Sequence, residues 1–211
     1  MAMLDVHAPE HGIHGKRDFF IHMATITLGL LIALGLEQGV EALHHHHQKE
    51  RAEANIREEI RENSDHLKDL QKRQAAEIQD TIYILKRIDD RLKREPPDTS
   101  KVPFGFATAP LSDAAWRTAS ATGIASYIDY DTMQRFAECY KQQEEFERMQ
   151  DKALDEFLHL GSFAVIGEAN STDDAELREA QHVGRSALAN LSALRDIGNG
   201  TLRSYDEALK Q

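Results

Sequence analysis

The chain has 211 residues, 36 acidic against 25 basic side chains, a net charge of −11 and only 7% aromatics. Such a balance suits long helices with solvated faces rather than a β-sandwich. The negative charge repels a phosphate backbone, so nucleic acid is not an expected partner. A single cysteine, Cys139, excludes an internal disulfide and a thiolate-rich zinc site. Its expected place is the apolar interior, as a small buried side chain.

Residues 1–18 read as a tail ending in Lys16, Arg17 and Asp18, and the decisive segment follows. Phe19–Leu36, FFIHMATITLGLLIALGL, carries no formal charge and is closed by Glu37. Eighteen helical residues span about 27 Å, close to the roughly 30 Å hydrocarbon core of a bilayer. Residues 19–43 are therefore expected to form a transmembrane helix with its interface. Two other readings share features with it. A cleaved signal peptide has the same basic-then-apolar layout, and Val40-Glu41-Ala42 offers small residues for cleavage, but its apolar region is usually about 7–15 residues. A buried core helix rarely stays apolar all round for this length.

His22, Thr25, Gly29, Ala33 and Glu37 follow at steps of three and four, on one stripe of this helix. Small residues there let a second backbone approach, and Gly35-x-x-x-Gly39 adds a second small pair. The sharper expectation is a helix–helix interface through His22, Thr25, Gly29, Ala33, Gly35 and Gly39. The blander one leaves His22 and Glu37 solvated among lipid headgroups. The nearest bases, Lys16 and Arg17, precede the span, while Lys49, Arg51 and Arg57 follow at greater distance. That asymmetry favours a cytoplasmic N-terminus and a periplasmic helical domain.

Histidines cluster at His7, His11 and His14 and again at His44–His47. Imidazole is a common metal ligand, but Pro9 and Gly12 break up the first cluster. In the second, only His44 and His47 share a helical face. They are the candidate ligands for zinc or another divalent transition metal, with Glu41 or a second chain needed to complete a site. The competing reading is a weakly basic collar whose charge rises below about pH 6.5.

From Gln48 to Arg94 there is no Pro or Gly, and residues 44–95 are expected to be one long juxtamembrane helix continuing from the membrane span. Its apolar stripe is Ile56, Ile60, Leu67, Leu70, Ile78, Ile82, Leu85, Ile88 and Leu92, interrupted by Asn63, Gln71 and Gln74. Glu95-Pro96-Pro97-Asp98 stops it. Residues 96–111 read as a loop in which Phe104 and Phe106 anchor onto the bundle. A short helix is expected from Ser112 and Asp113, with Trp116 as its buried anchor and Gly123 as its end or kink. A longer helix is expected from a cap at Asp131 to about Phe163, and a last one after a break at Gly167–Ser171, capped by Thr172 or Asp173. Gly198 and Gly200 are expected to weaken its final turns. Residues 96–211 thus supply the remaining helices of an all-α, antiparallel helical bundle that buries these stripes together.

Catalytic signatures are lacking: the sequence has no phosphate-binding Gly-rich loop, no HExxH and no serine elbow. Glu156-x-x-His159 matches a di-iron spacing once, without the required second copy. No cofactor is expected beyond the metal reading of His44 and His47.

The stretch Met3–Gln48, with its His-rich tail and apolar run, resembles the N-terminus of a group of uncharacterised bacterial single-pass membrane proteins; Ala115-Trp116 and Thr122-Gly123 add a fainter likeness. The resemblance implies a bacterial inner-membrane setting and no particular chemistry. The expected role is a non-enzymatic, membrane-anchored interaction or sensory module. Its expected partners are the lipid bilayer, further copies of itself, and a membrane or periplasmic protein. The alternative is a metal- or small-ligand-binding membrane protein using the juxtamembrane histidines or the bundle interior.

Overall fold

The computed structural model describes residues 15–96, 100–101, 104–163 and 173–210. The tail histidines His7, His11 and His14, Pro97 and Asp98 of the helix stop, and the break at Gly167–Ser171 with Thr172 lie outside the described residues. Those described contain no strand. Four α-helices run in the order α1 (Lys16–Leu92), α2 (Ala114–Ala121), α3 (Tyr130–Gly161) and α4 (Asp174–Leu209), with a 3-10 turn at Ile124–Tyr127. The chain divides into two compact units, Met1–Gln48 and Lys49–Gln211.

In the first unit, the described part is helical from Lys16. It holds an 18-residue window long and apolar enough to cross a membrane, and none of that window is buried. Leu30, Leu31 and Ile32 are 60%, 60% and 56% exposed. The only hydroxyls in the apolar run bond back into the helix: Thr25 Oγ1 donates to the Ile21 carbonyl at 2.9 Å and Thr27 Oγ1 to the Met23 carbonyl at 2.8 Å. Both hydroxyls are thereby satisfied within the helix.

In the second unit, three helices pack along seams of alternating three- and four-residue steps. On α1 the seam is Ile56, Ile60, Asn63, Leu67, Leu70, Gln74, Glu77, Thr81, Ile84 and Ile88, all buried. On α3 it runs from Phe136 and Cys139 through Gln143, Phe146 and Gln150 to Phe157 and Leu160; on α4, from Leu177 through Gly184, Leu191 and Gly198 to Tyr205 and Ala208. A seam of this period lets facing side chains interlock as in a coiled coil. It also corrects the apolar stripe read from the sequence. Ile78 is only half-buried and Ile82 is 43% exposed, because the seam passes instead through Gln74, Glu77, Thr81 and Ile84. Two apolar clusters result, one around Ile60, Phe136, Phe146 and Tyr205, the other around Ile88, Leu160 and Leu177.

Glycines on α4 allow close packing. A Cβ at Gly184 would lie 2.8 Å from Leu85 Cδ2, and one at Gly198 would lie 3.0 Å from Gln71 Nε2 and 3.2 Å from Phe146 Cε2. Gly198 thus serves an approach between helices rather than merely weakening the end of α4.

Helix ends follow capping chemistry with small shifts from expectation. α1 stops at Leu92; Arg94 takes a left-handed φ of 61°, and the Glu95 amide donates to the Asp90 carbonyl at 2.9 Å. α2 starts at Ala114, not Ser112, whose side chain and amide are used elsewhere. Asp129, not Asp131, caps α3, its carboxylate accepting from the Thr132 amide; Asp131 sits in the first turn, where its charge suits the helix dipole. Asp173 caps α4 by accepting from the Ala175 amide at 2.9 Å. Gly123 closes α2 at φ 76°, a conformation glycine adopts without strain.

Residue pairs between elements fix their registers. Between α1 and α3, Arg57 lies over the Phe136 ring, Glu59 meets Tyr140 and Asn63 meets Gln143, so the two numberings rise together. Between α1 and α4 they oppose each other: Arg57 meets Ala208, Gln71 meets Arg195, and Arg94 pairs with Asp174 at 3.0 Å. The connection between α1 and α2 runs back along α1. Ser100 accepts from Arg87, the Ala107 amide reaches Glu77, and Ser112 reaches Asn63.

Candidate functional site

The returning connection is held by a row of buried polar side chains. Glu77 Oε1 accepts from the Ala107 amide at 2.7 Å, and Gln150 Oε1 accepts from the Ala109 amide at 2.8 Å. Asn63 grips Ser112 from both sides, accepting from its amide at 2.9 Å and donating to its carbonyl at 2.6 Å. Gln143 donates to the same carbonyl at 3.1 Å. Phe104 and Phe106 anchor the connection as expected: Phe104 stacks on Phe157 with centroids 4.2 Å apart, and Phe106 lies 5.5 Å from it.

Glu59 is the centre of this network. Its carboxylate accepts from the Tyr140 hydroxyl at 2.6 Å, the Ser112 hydroxyl at 2.7 Å and the Ala115 amide at 3.0 and 3.2 Å. Burial pushes its pKa up, but the donors at Tyr140, Ala115, Ser112 and Trp116 together outweigh burial and hold it below the usual glutamate value. Gln143 extends the network, accepting from Asn63 Nδ2 at 3.0 Å and from the Tyr205 hydroxyl at 2.9 Å. Nearly every polar group here has a partner, which makes the network specify one arrangement of α1, α3, α4 and the connection.

Against this network lies a cavity of ≈240 Å³ lined by Asp113, Trp116, Arg117, Tyr140, Gln143, Glu144 and Glu147. The Trp116 and Tyr140 rings stack, with centroids 5.5 Å apart and planes at 12°. Arg117 pairs with Asp113 at 3.0 Å, and Arg148 with Glu144 at 3.6 Å. Glu147 accepts from Gln143 Nε2 at 3.3 Å. Burial and then, against the pull of that amide, the nearby carboxylates of Asp113, Asp151 and Glu144 raise its pKa.

The neighbouring groups are poorly placed to be nucleophiles. Burial pushes the Cys139 thiol up to about 12, keeping it a neutral core side chain. Burial and the Glu59 carboxylate raise the Tyr140 phenol far above its usual value. Fixed charge and aromatic surface suit this arrangement to binding.

The residues singled out from the sequence lie elsewhere. His22, Thr25, Gly29, Ala33, Gly35 and Gly39 are all exposed on α1, and a Cβ built at Gly29, Gly35 or Gly39 meets nothing within 4 Å. His44 Nε2 lies 2.8 Å from Gln48 Nε2, and His45 Nε2 lies 3.5 Å from Glu41. Among the described residues no three His, Cys, Asp or Glu side chains converge to hold a metal ion. Glu156 is half-buried and His159 is exposed, its ring 5.5 Å from Phe163.

Sequence reading missed Glu59, Asn63, Ser112 and Gln143 as a group. The signal for Asn63 and Gln143 is the unbroken three-and-four step, which continues through these polar positions on α1 and α3. No family model matches the chain, and neither a curated protein nor a solved structure matches it.

Proposed function

We propose that this chain is a single-pass membrane protein of the bacterial inner membrane, a self-associating helical interaction or sensory module with no catalytic role. The observation that carries the reading is the 18-residue apolar window of α1, none of it buried within the chain. Leaving so many large apolar side chains in water costs far more than marginal protein stability allows, so this surface needs lipid or a protein partner. The internally bonded hydroxyls of Thr25 and Thr27 and the resemblance of Met3–Gln48 to bacterial single-pass proteins support lipid. Lys16 and Arg17 just before the window support a cytoplasmic N-terminus and a periplasmic bundle.

The bundle itself is a scaffold in which α4 runs antiparallel to α1 and α3, a reading supported by the opposed pairs Arg57 with Ala208 and Gln71 with Arg195. Because α1 is helical from Lys16 to Leu92, a shift in its bundle portion can pass along the helix as rotation or translation. The small-residue stripe through Gly29 and Ala33 and the Gly35–Gly39 pair support association of several copies.

The test is fractionation of a bacterial host expressing the untagged chain. The chain is expected in the membrane pellet after an alkaline carbonate wash, with an intact mass showing an uncut N-terminus. Leu30→Arg combined with Ile32→Arg is expected to move it to the supernatant, since each charge at mid-bilayer costs about 2.5–3.5 kcal/mol. Recovery of the wild-type chain in the wash, or a cleaved N-terminus, overturns the anchor. For sidedness, Glu207→Cys in a Cys139→Ala background is expected to react with a membrane-impermeant maleimide on intact spheroplasts. Reaction only after lysis reverses the orientation.

A further inference from the structure

We infer that the cavity walled by Trp116, Tyr140, Gln143 and Glu147 binds a small organic cation, an ammonium or quaternary ammonium group on a short carbon skeleton. Its sensory use rests on the function proposed above; the binding itself is a property of Lys49–Gln211 alone.

Size comes first. At ≈240 Å³ the cavity falls below the roughly 300–1,000 Å³ typical of sites for drug-sized ligands, so it suits a few heavy atoms rather than a nucleotide or a peptide. Its wall comes next. The half-buried indole of Trp116, backed by the buried Tyr140 ring on which it stacks, lines the cavity with π surface, whose negative face attracts a cation, most strongly when the cation sheds its water easily. Alkylammonium groups meet that condition and strongly hydrated metal ions do not.

Charge then selects the sign. Arg117 is engaged by Asp113, and Glu144 by Arg148. Glu147 has only the Gln143 amide as its hydrogen-bond partner, and behind the wall Glu59 is held by neutral donors alone. Two carboxylates therefore lack a counter-charge, and the local potential repels anions and gathers cations. The raised pKa of Glu147 has the same origin: burial among neighbouring carboxylates, with no base beside it. An incoming ammonium supplies the missing charge to Glu147 and lies against the aromatic wall in the same pose. Gln143, 2% exposed and tied to Asn63 and Tyr205, connects that wall to α1 and α4. Occupancy therefore acts on residues that set the packing of the bundle.

Trp116 is the chain's only tryptophan, so its emission reports on this cavity directly. The full chain in neutral detergent micelles is titrated with tetramethylammonium chloride and n-butylammonium chloride. Sodium chloride and sodium butyrate at equal ionic strength are the controls. A saturable change in Trp116 emission is expected with at least one organic cation and with neither control. Glu147→Gln is expected to weaken the apparent affinity about tenfold, while Glu179→Gln, exposed on α4 away from the cavity, leaves it unchanged. Far-ultraviolet circular dichroism checks that both variants keep their helicity. The inference is overturned by a flat response to both organic cations up to about 50 mM, by an equal response to sodium chloride or butyrate, or by full affinity in a folded Glu147→Gln chain. Binding by a chain that also washes out of membranes keeps the site and removes its transmembrane use.

Discussion

Glu59 on α1 accepts a hydrogen bond from the Tyr140 hydroxyl on α3 at 2.6 Å, and both side chains are more than nine-tenths buried. The bond joins two long helices and, through Ser112 and Ala115, the connection and the start of α2. Tyr140→Phe removes the hydroxyl while keeping the ring stacked on Trp116. Leaving a buried charged acceptor short of a donor costs about 1–3 kcal/mol. Thermal unfolding followed by circular dichroism is expected to show that loss at pH 7. The Glu59 pKa is lower in the folded chain than the ordinary value of 4.5. Its contribution is therefore fully present above the unfolded carboxylate value and disappears as pH falls through the lower folded value. The Tyr140→Phe penalty should shrink across that acid window; a penalty as large at pH 2 as at pH 7 would contradict the assignment.

Glu77 carries the opposite sign. Burial raises its pKa, with the Asp80 charge adding to the rise and the Ala107 amide and Arg73 opposing it. Its Oε2 is buried without a hydrogen-bond partner. A carboxyl whose folded pKa is raised weakens the fold fully above that pKa, and the penalty is relieved as pH falls from the folded to the unfolded value. Glu77→Gln keeps an acceptor for the Ala107 amide and removes the buried charge, and an unpaired amide costs less than an unpaired charge. The variant is expected to be about 1 kcal/mol more stable than wild type at pH 8, with the gain fading as pH falls toward the ordinary value of 4.5 and gone below it. Equal stability of the two chains at pH 8 would show that Glu77 carries no such penalty.

The contrast between these two glutamates explains what the sequence reveals and what it hides. Helix existence is legible, since Pro96 and Pro97, Gly123 and Asp173 punctuate the chain where physical chemistry says they must. The seam of α1 is partly legible: counting apolar residues finds Ile56, Ile60, Leu67 and Leu70, then slips onto Ile78 and Ile82 because Gln74, Glu77 and Thr81 occupy the buried positions. Of these, Glu77 is held by the Ala107 amide of the connection running back along α1, and Thr81 donates its hydroxyl to the Glu77 carbonyl of its own helix. Nothing local in PFGFATAPLSD announces that direction of travel, so the pairing of Glu77 with Ala107, and of Glu59 with Ser112, emerges only from the tertiary fold. Trp116 is a clear aromatic anchor by type, whereas the cavity beside it depends on which faces of α2 and α3 meet.

Two glycines on α4 should respond differently to the same substitution. At Gly200 an added Cβ meets only Arg203 Nη2, at 3.9 Å. Gly200→Ala therefore gains helix propensity without a clash and is expected to stabilise by about 0.5–1 kcal/mol. At Gly184 the Cβ would lie 2.8 Å from Cδ2 of the half-buried Leu85 and 3.4 Å from Cδ1 of the buried Leu160. Repacking there offsets the propensity gain, since overfilled cores cost about 1–3 kcal/mol. Gly184→Ala is expected to be neutral or destabilised in the same thermal assay. Equal stabilisation of the two variants would mean that Leu85 moves aside freely and that Gly184 is not a close-approach position.

Gly29 offers a cleaner reading of association, because an added side chain there touches nothing in a single chain: no atom lies within 4 Å of its Cβ position. Any effect of Gly29→Leu must therefore arise outside the isolated fold. If copies of the membrane segment meet along His22, Thr25, Gly29, Ala33 and the Gly35–Gly39 pair, an isobutyl group at the centre of that stripe separates the backbones. Self-association in a bacterial membrane two-hybrid reporter is then expected to fall about fivefold. Leu34→Ile, on the face turned away from both the stripe and the Gly35–Gly39 pair and similar in volume, should leave the signal unchanged. An undiminished signal from Gly29→Leu, at equal membrane abundance, would remove the stripe from the interface.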